Sequence, residues 1–352
     1  MAESLISDAG VAPGDTVLAS LLQHILSSAA VSGLPTNTIL TAAGIPPVPH
    51  ADSTGRVPVS HLERLVCTGV AVSGDPLLGL HMSKLADPTG FGVLGYLRQA
   101  CTTLQDFIEM ARRYEVLVSD IGYTSLRHQP GVTLWCWDCK TDNPLFRRQA
   151  TEYLLGSLRT IQIRMAKQHP PPILRVLLRH EPPSNPAHIA EYEHHFGCPI
   201  LFNQPVSAMV LANEVLKQPL ENPDPGLQQV LEQHALQLIG QREKAQSFMD
   251  KARTQLQTLL QQGDGSREAL AGAMGMSGRN LHRQFEREGG SYRQLYDEVR
   301  LEMARRYLLN SPEAVESVAM RLQFGGSQSF IRWFRQLSGE TPGQYRKQAR
   351  GE

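Results

Sequence analysis

Near its C-terminus the chain reads SFIRWFRQLSGETPGQYR (Ser329–Arg346), and 49 positions earlier it reads NLHRQFEREGGSYRQLY (Asn280–Tyr296). Both stretches run from a basic helix, with apolar residues four apart, to a glycine and then into another helix. In the later stretch, Gly339 predicts a C-terminal cap and Thr341 the N-cap of the next helix. Pro342 then fits its first turn, where a missing N–H costs nothing. The string is a helix stop followed at once by a helix start.

The repetition extends upstream of both stretches. REALAGAMGMSGRNLHRQF (267–285) and AVESVAMRLQFGGSQSFIRWF (314–334) each predict a short helix, a glycine-containing turn capped in the first copy by Ser277, and a second helix. The offset between the copies grows from 48 to 50 residues, so two single-residue insertions separate them, both in turns. The positions expected to be buried correspond, as do two arginines: Leu281 with Phe330, Phe285 with Phe334, and Arg283 with Arg332.

This plan is the helix-turn-helix layout, whose second helix enters the major groove of DNA. The distribution of charge also favours binding to DNA. Residues 242–350 hold 18 Lys and Arg against 12 Asp and Glu, a net charge of +6, whereas the preceding residues hold 16 Lys and Arg against 21 Asp and Glu. A helical repeat with solvated charges is the alternative. The helix predicted at 292–309, with Leu295, Val299, Met303 and Tyr307 inward, would be about 27 Å long. It could hold the two recognition helices near the ~34 Å spacing of successive major-groove faces.

These residues resemble the double helix-turn-helix domain of AraC/XylS-type bacterial transcription regulators, down to SGRNLHRQF and the closing F-R-x-x-x-G-x-T-P-x-x-Y-R pattern. Upstream, FGVLGYLRQACTTLQDFIEMARRYEVLVSD and EYEHHFGCPILFNQPVSAMVLANEVLKQPL are similar to the effector domain, of arabinose-binding type, in the ornithine-utilisation-regulator branch of that family. The resemblance implies that two sets of side chains face DNA: Arg279, Asn280, His282 and Arg283 in the first copy, and Ser327, Gln328, Ser329 and Arg332 in the second. One departure is that Gln323, where the family usually has glycine, precedes Phe324.

The part before residue 218 reads as mixed α and β. Helical spacing covers Asp15–Gly33, Val59–Val72, Leu104–Val118 and Leu145–Lys167; strand patterns cover a hairpin at Tyr123–Asp138, Ile173–Leu178 and Pro199–Leu211. The proline-rich segment Lys217–Gly226 breaks the chain. After it, one face of a connecting helix would carry Leu227, Val230, Leu231, His234 and Leu238. We therefore expect an α+β effector and dimerisation domain at 10–218, a linker at 219–245, and an all-α DNA-binding domain at 246–350.

Some cysteines, histidines and tryptophans of the first part could have either a chemical role or a packing role. Cys136 and Cys139 have thioredoxin-like spacing, but on a predicted strand they would point to opposite faces, so a redox role is disfavoured. His194, His195 and Cys198 lack a fourth ligand with a recognised zinc spacing. Trp135, Trp137 and Arg148 would either line a pocket or pack, and packing is favoured. Since Walker, dinucleotide, nucleophile-elbow and zinc-protease patterns are missing from the sequence, we assign no catalytic residue, metal or cofactor.

The sequence thus predicts a bacterial transcription regulator that binds double-stranded DNA and responds to a small-molecule effector. The N-terminus lacks a basic leader, no apolar run approaches the ~20 residues of a membrane helix, and five scattered cysteines suit reduced thiols. A cytoplasmic location is therefore expected. A homodimer is the expected assembly, an activator role is expected, and RNA polymerase is a candidate partner. An architectural DNA-binding protein without effector, and a DNA-binding protein with an enzymatic N-terminal domain, are the alternatives.

Overall fold

The computed structural model describes residues 15–45, 55–141, 143–165, 172–220, 223–245, 247–310 and 314–350. It divides into two compact units, Met1–Gly240 and Gln241–Glu352. The predicted start of the first domain at residue 10, part of the proline-rich break and the predicted domain start at 246 lie outside the described residues.

The first unit mixes helices and strands, and the second is helical, as predicted. In chain order the elements are β1 (Thr16–Leu18), α1 (Ala19–Val31), α2 (Thr36–Ala42), β2 (Arg56–Pro58), α3 (Val59–Ser73), α4 (Leu78–Ser83), α5 (Gly92–Ala100), α6 (Leu104–Tyr114), β3 (Gly122–Gln129), β4 (Val132–Cys139), α7 (Pro144–Met165), β5 (Arg175–Leu177), α8 (Pro186–Phe196), β6 (Ile200–Leu201), β7 (Ala208–Ala212), α9 (Asn213–Leu216), α10 (Pro225–Ala245), α11 (Phe248–Gln262), α12 (Arg267–Ala273), α13 (Gly278–Arg287), α14 (Tyr292–Asn310), α15 (Val315–Arg321), α16 (Ser327–Ser338) and α17 (Pro342–Arg350). Short 3₁₀ turns lie at Pro88–Phe91 and Glu115–Leu117.

A five-stranded sheet with the order β3-β4-β7-β5-β6 is the framework of the first unit. β3 and β4 form the predicted hairpin, closed by Pro130 and Gly131, with Gly131 at a φ of 78°. β4 also pairs antiparallel with β7, and β5 pairs parallel with β6. One face of β4 carries Trp135 and Trp137 into the main apolar clusters beneath the helices. The hairpin therefore places two tryptophans at the centre of the unit.

Several predicted boundaries needed correction. The first helix begins at Ala19 rather than Asp15, because 16–18 pair with Arg56–Pro58 as a small antiparallel sheet. The α6 helix ends at Tyr114, and a 3₁₀ turn follows. The single strand predicted at Pro199–Leu211 is two strands, because Asn203 adopts a φ of 56° and Pro205 follows it. The helix α7 ends at Met165, and its predicted extension to Lys167 lies outside the described residues.

The connecting helix α10 packs on the first unit. Its Ala235 is fully buried against Leu97, Tyr114 and Leu117. The predicted apolar face was partly wrong, because Leu227 and Val230 are 42% and 61% exposed and His234 is also exposed, whereas Leu231, Leu238 and Ile239 join the packed face. Ahead of the helix, Leu220 N–H donates to Thr102 O at 2.8 Å and Asp224 N–H to Ala100 O at 3.3 Å. The segment after residue 218 is thus held against the loop between α5 and α6.

The second unit has one apolar core, to which every helix from α11 to α17 contributes. The central helix α14 buries Leu295, Val299 and Met303, and Tyr307 is half-buried, as predicted. α12 packs with α13, α15 packs with α16, and both pairs share the apolar core with α14. No helix in the described part of the chain is both long and apolar enough to span a membrane.

Candidate nucleic-acid interface and effector cavity

The two helix-turn-helix copies turn through the same backbone geometry. In the first, Gly275 has a φ of 66° and Met276 N–H donates to Ala271 O at 2.9 Å. In the second, Gln323 has a φ of 60° and Phe324 N–H donates to Ala319 O at 2.9 Å. Gln323 therefore adopts the left-handed conformation expected for it, which ordinarily costs about 1–2 kcal/mol for a residue with a side chain.

The turns differ in how the second helix begins. Ser277 caps α13, because its Oγ accepts a hydrogen bond from Asn280 N–H at 3.3 Å, as predicted. The second turn is one residue longer, and Gly326 occupies the N-cap of α16 without a side-chain bond. At the far end of α16, Gly339 is left-handed at a φ of 85° and Thr341 Oγ1 accepts from Gln344 N–H at 3.3 Å. The stop-and-start interpretation of this segment is confirmed.

Arg300 of α14 holds the second turn. Its Nε donates to the carbonyl oxygen of Leu322 at 2.6 Å, and its guanidinium lies 3.6 Å from the centroid of the Phe324 ring. These two contacts flank Gln323 on both sides along the chain. Burial lowers the pKa of Arg300, which remains charged because its ordinary pKa is so high. The guanidinium of Arg300 thus supports the turn at Gln323, where the left-handed backbone conformation is unfavourable.

The helix α13 presents a polar face. Leu281 and Phe285 are buried, which turns Arg279, Asn280, His282 and Arg283 outward, and all four are exposed. Arg283 donates to Asn280 Oδ1 at 3.3 Å, and His282 lies 3.4 Å from Glu286. The spacing i, i+3, i+4, i+7 and i+8 collects one stripe, which we call the α13 face: Arg279, His282, Arg283, Glu286 and Arg287.

The helix α16 presents a corresponding stripe. Phe330 and Phe334 are fully buried, and Gln328, Ser329 and Arg332 are exposed, whereas Ser327 is half-buried. Ser329 Oγ is occupied by a bond to Gly326 O at 2.7 Å. A shallow depression brings together further side chains of the same helix that the sequence interpretation did not single out, although their spacing from Arg332 could have identified them. We call the stripe Gln328, Ile331, Arg332, Arg335 and Gln336 the α16 face.

The first unit encloses a cavity of about 170 Å³. Trp135 and Trp137 both line it, so they pack and form a pocket wall at once, whereas Arg148 is not among its lining residues. Its walls come from α1 to α7, the β3-β4 hairpin and the segment after α6. This is the candidate effector site.

Two walls of the cavity also support the connecting helix. Leu94 of α5 lines the cavity, and Leu97 of the same helix packs on α10. Ala111 of α6 lines the cavity, and Tyr114 of the same helix packs on α10. A change in the positions of α5 and α6 would therefore alter the packing of α10.

A buried polar cluster lies elsewhere in the same unit. Glu152 Oε1 accepts from Arg148 Nε at 2.8 Å and from the Tyr192 hydroxyl, and it lies 3.3 Å from His180 Nε2. Burial raises the pKa of Glu152 and lowers that of His180 to about 4. Arg148 pairs with Glu152 in this cluster, whereas Glu152 Oε2 and His180 Nε2 make no hydrogen bond of ordinary geometry among the described residues.

The cysteines with redox-like spacing lie in different apolar clusters, and His195 of the zinc-like group is hydrogen-bonded. Cys136 lies in a cluster on one face of β4 and Cys139 in a cluster on the other. Burial raises the pKa of both thiols, that of Cys139 to about 12. His195 Nε2 donates to Gly156 O at 3.1 Å. The described residues hold no group of three His, Cys, Asp or Glu side chains arranged to bind a metal ion.

Comparisons with known proteins cover both units. A model of the N-terminal arabinose-binding domain of AraC transcription regulators matches residues 33–220, and a helix-turn-helix domain model matches residues 270–348. The ornithine utilization regulator of Pseudomonas aeruginosa is 27% identical over 335 residues, 92% of this chain and 94% of that protein. The transcriptional activator NphR of Rhodococcus is 37% identical over 99 residues, 27% of this chain and 30% of that protein. The crystal structure of the transcriptional regulator CdpR from Pseudomonas aeruginosa aligns with a TM-score of 0.46 at 18% identity, over 93% of this chain and 98% of that chain.

Proposed function

The chain belongs to the AraC family of transcription regulators, and we propose that it binds operator DNA through the α13 and α16 faces under the control of a small molecule held in its N-terminal unit. This proposal rests mainly on the equivalence of α13 and α16. Each helix is anchored by two buried apolar residues and exposes an arginine, Arg283 or Arg332. Arginine at such a position reads guanine edges in the major groove.

The other side chains of the two faces suit DNA in different ways. Gln328 of the α16 face, and Asn280 at the edge of the α13 face, can pair with adenine, and exposed Ile331 can contact a thymine methyl group. The remaining arginines would contact phosphates and make binding fall with salt. We therefore propose Arg279, Asn280, His282 and Arg283, with Ser327, Gln328, Ser329 and Arg332, as the DNA-facing residues. Ile331, Arg335 and Gln336 join them.

Assembly and partners extend this proposal. Two copies would associate as a homodimer, for which the exposed apolar side chains of Leu227 and Val230 on α10 supply a surface. Contact with RNA polymerase would accompany an activator role. Acting on DNA in a bacterial cell places the protein in the cytoplasm. The N-terminal unit would bind its effector without turning it over, because the described ionisable groups of the cavity wall are limited to Glu115 and Tyr153.

The proposal is tested by identifying the DNA that the protein binds and by measuring its affinity for that DNA. Genomic fragments bound by the full chain are sequenced, and a recovered operator is titrated with the full chain and with a fragment of residues 242–352 at several salt concentrations. We expect both to bind with an inverse dependence on salt, and the full chain to bind a two-site operator more tightly, by about 10²–10⁴ if both protomers engage. A folded fragment without DNA affinity at low salt would overturn the proposal.

A further inference from the structure

The chemistry of the N-terminal cavity points to a class of ligand. We propose that the cavity binds an uncharged, largely hydrocarbon small molecule about the size of a single aromatic ring, and that a sugar or a charged amino acid does not occupy it. The effector role of this ligand rests on the proposed function, whereas its binding does not.

The wall of the cavity is apolar on every side. Leucines and isoleucines of α1, α2, α3 and α7 surround it, and aromatic rings close the rest; representative lining residues are Leu21, Ile39, Leu62, Phe107, Trp135 and Trp137. Most of these side chains are themselves buried in the unit's apolar clusters. A pocket of this kind gains free energy by removing apolar ligand surface from water.

Charge is almost missing from the wall. Among the described lining residues, Glu115 is the only carboxylate, and none is a lysine, arginine, histidine or aspartate. Both oxygens of Glu115 accept from Thr124 N–H at 2.9 Å, and burial raises the pKa of this carboxyl. The carboxylate of an amino acid would thus have no cation to meet, and burying an unpaired charge is strongly unfavourable.

The polar groups of the wall are mostly engaged already. Gln149 is buried, its Oε1 accepting from Gly79 N–H at 2.6 Å and its Nε2 donating to Pro76 O at 2.9 Å. Ser119 Oγ accepts from Ile121 N–H at 3.0 Å. Within the described chain, the enclosed Tyr153 hydroxyl makes no hydrogen bond of ordinary geometry. Tyr153, Thr36 and Thr124 thus supply the hydroxyl groups of the wall that could meet a polar atom of a ligand, whereas a sugar carries several hydroxyl groups that each need a partner.

The volume of the cavity limits the size of the ligand. The cavity has a volume of about 170 Å³. An engineered cavity of about 150 Å³, lined by Leu, Ile and Phe, binds benzene. A monocyclic aromatic compound, or an aliphatic chain of similar bulk, therefore fits.

Tryptophan fluorescence provides a direct test on the full chain, because two of its three tryptophans line the cavity. The probes are p-cresol and toluene, single rings that do not emit in the tryptophan band, and the polar comparators are L-arabinose and L-ornithine at the same concentrations. We expect the aromatic probes to change the emission saturably and to raise the melting temperature of the first unit, and the comparators to do neither. Absence of saturable binding by both aromatic probes at millimolar concentration would overturn the inference.

Two matched substitutions locate the probe. Val66→Phe fills the wall from α3, whereas Val72→Phe makes the same change on an exposed position of that helix away from the cavity. We expect Val66→Phe to weaken probe binding at least tenfold and Val72→Phe to leave it unchanged. If Val66→Phe does not fold, Ala111→Phe on α6 tests the same wall. Equal probe binding in a folded filling variant would contradict the assignment, as would ornithine or arabinose binding that the filling variant abolishes.

DNA affinity measured on the same samples without probe keeps the two proposals apart. If DNA binds but only polar compounds occupy the cavity, the ligand class is wrong and the regulator stands. If the aromatic probe binds as expected but DNA is not bound, the ligand class stands and the proposed function fails.

Discussion

The guanidinium of Arg300 lies 3.6 Å from the centroid of the Phe324 ring. Because the same side chain also donates to Leu322 O at 2.6 Å, it grips the chain immediately before and after Gln323. The first turn has glycine at the equivalent position, where a left-handed backbone carries no side-chain penalty. The central helix therefore braces the turn that lacks glycine.

Replacing Arg300 with Lys should loosen this turn. Lysine keeps the charge but loses the planar stacking on Phe324 and the directed bond to Leu322, so we expect a loss of roughly 1–2 kcal/mol in the free energy of unfolding of the second unit. DNA affinity should fall as well, since α16 follows the turn. Urea unfolding and operator titration measure the two effects, and an unchanged midpoint would show that the brace is not needed.

Changing Gln323 to Gly should stabilise the second unit. Glycine removes the left-handed penalty but gains entropy in the unfolded chain, so the net gain should be roughly 0.5–1 kcal/mol. Gly275→Ala is the matched substitution in the first turn. It should cost a similar amount, because a Cβ there meets no atom within 4 Å and only the backbone is strained. If both changes shifted stability in the same direction, the equivalence of the turns would be refuted.

Arg283→Ala and Arg332→Ala should each weaken operator binding by about 1–3 kcal/mol without changing the melting temperature, because both side chains are exposed. We expect the larger loss from Arg283→Ala, since the second turn is built less favourably. Arg267→Ala is the control, being exposed on α12 and outside both faces. Parent-like affinity in both folded variants would exclude the recognition role.

Phe334→Ala should unfold the second unit more readily. The side chain is fully buried and contacts Tyr345 edge to face at a centroid distance of 5.5 Å, so its removal should cost ~3–5 kcal/mol. Loss of DNA binding would then follow from unfolding. Met320→Ala, at a position 63% exposed, serves as the control for loss of a large side chain. Equal melting temperatures for Phe334→Ala and the parent would contradict the helix phase.

Acid should destabilise the first unit through His195. Burial lowers the pKa of this imidazole to about 4, from about 6.5. Between these pH values His195 binds a proton in the unfolded chain but not in the folded chain. Its contribution to the free energy of unfolding is therefore fully present above pH 6.5 and is lost as the pH falls towards 4. The loss should reach roughly 2–3 kcal/mol. His195→Gln can keep a donor for Gly156 O without titrating, so its stability should depend less on pH than that of the parent; parallel curves would disprove the assignment.

The second unit could be predicted from sequence almost to the residue, because its signals are local. Apolar residues four apart fixed the phase of α13 and α16, and the Gly339, Thr341 and Pro342 sequence fixed a helix boundary. The brace from Arg300 could not be predicted this way, since it joins residues 22 positions apart along the chain through a tertiary contact.

The first unit was predicted less completely, because its features depend on packing between distant segments. The hairpin and α7 followed from turn residues and spacing. The division of 199–211 into two strands did not, because both halves look extended and only their partners differ. The cavity could not be predicted either, since an apolar residue facing a void has the same spacing as one in a filled core.

The unlike side chains of the α13 and α16 faces would give a bound operator a direction. The α13 and α16 faces share only an arginine, and their other side chains differ in charge and polarity. With both faces on DNA, as proposed, a single protomer would contact two different sets of bases in a fixed order, so its site would have a direction that a palindrome for one helix-turn-helix lacks. Such a protomer would distinguish upstream from downstream on the DNA before a second copy binds.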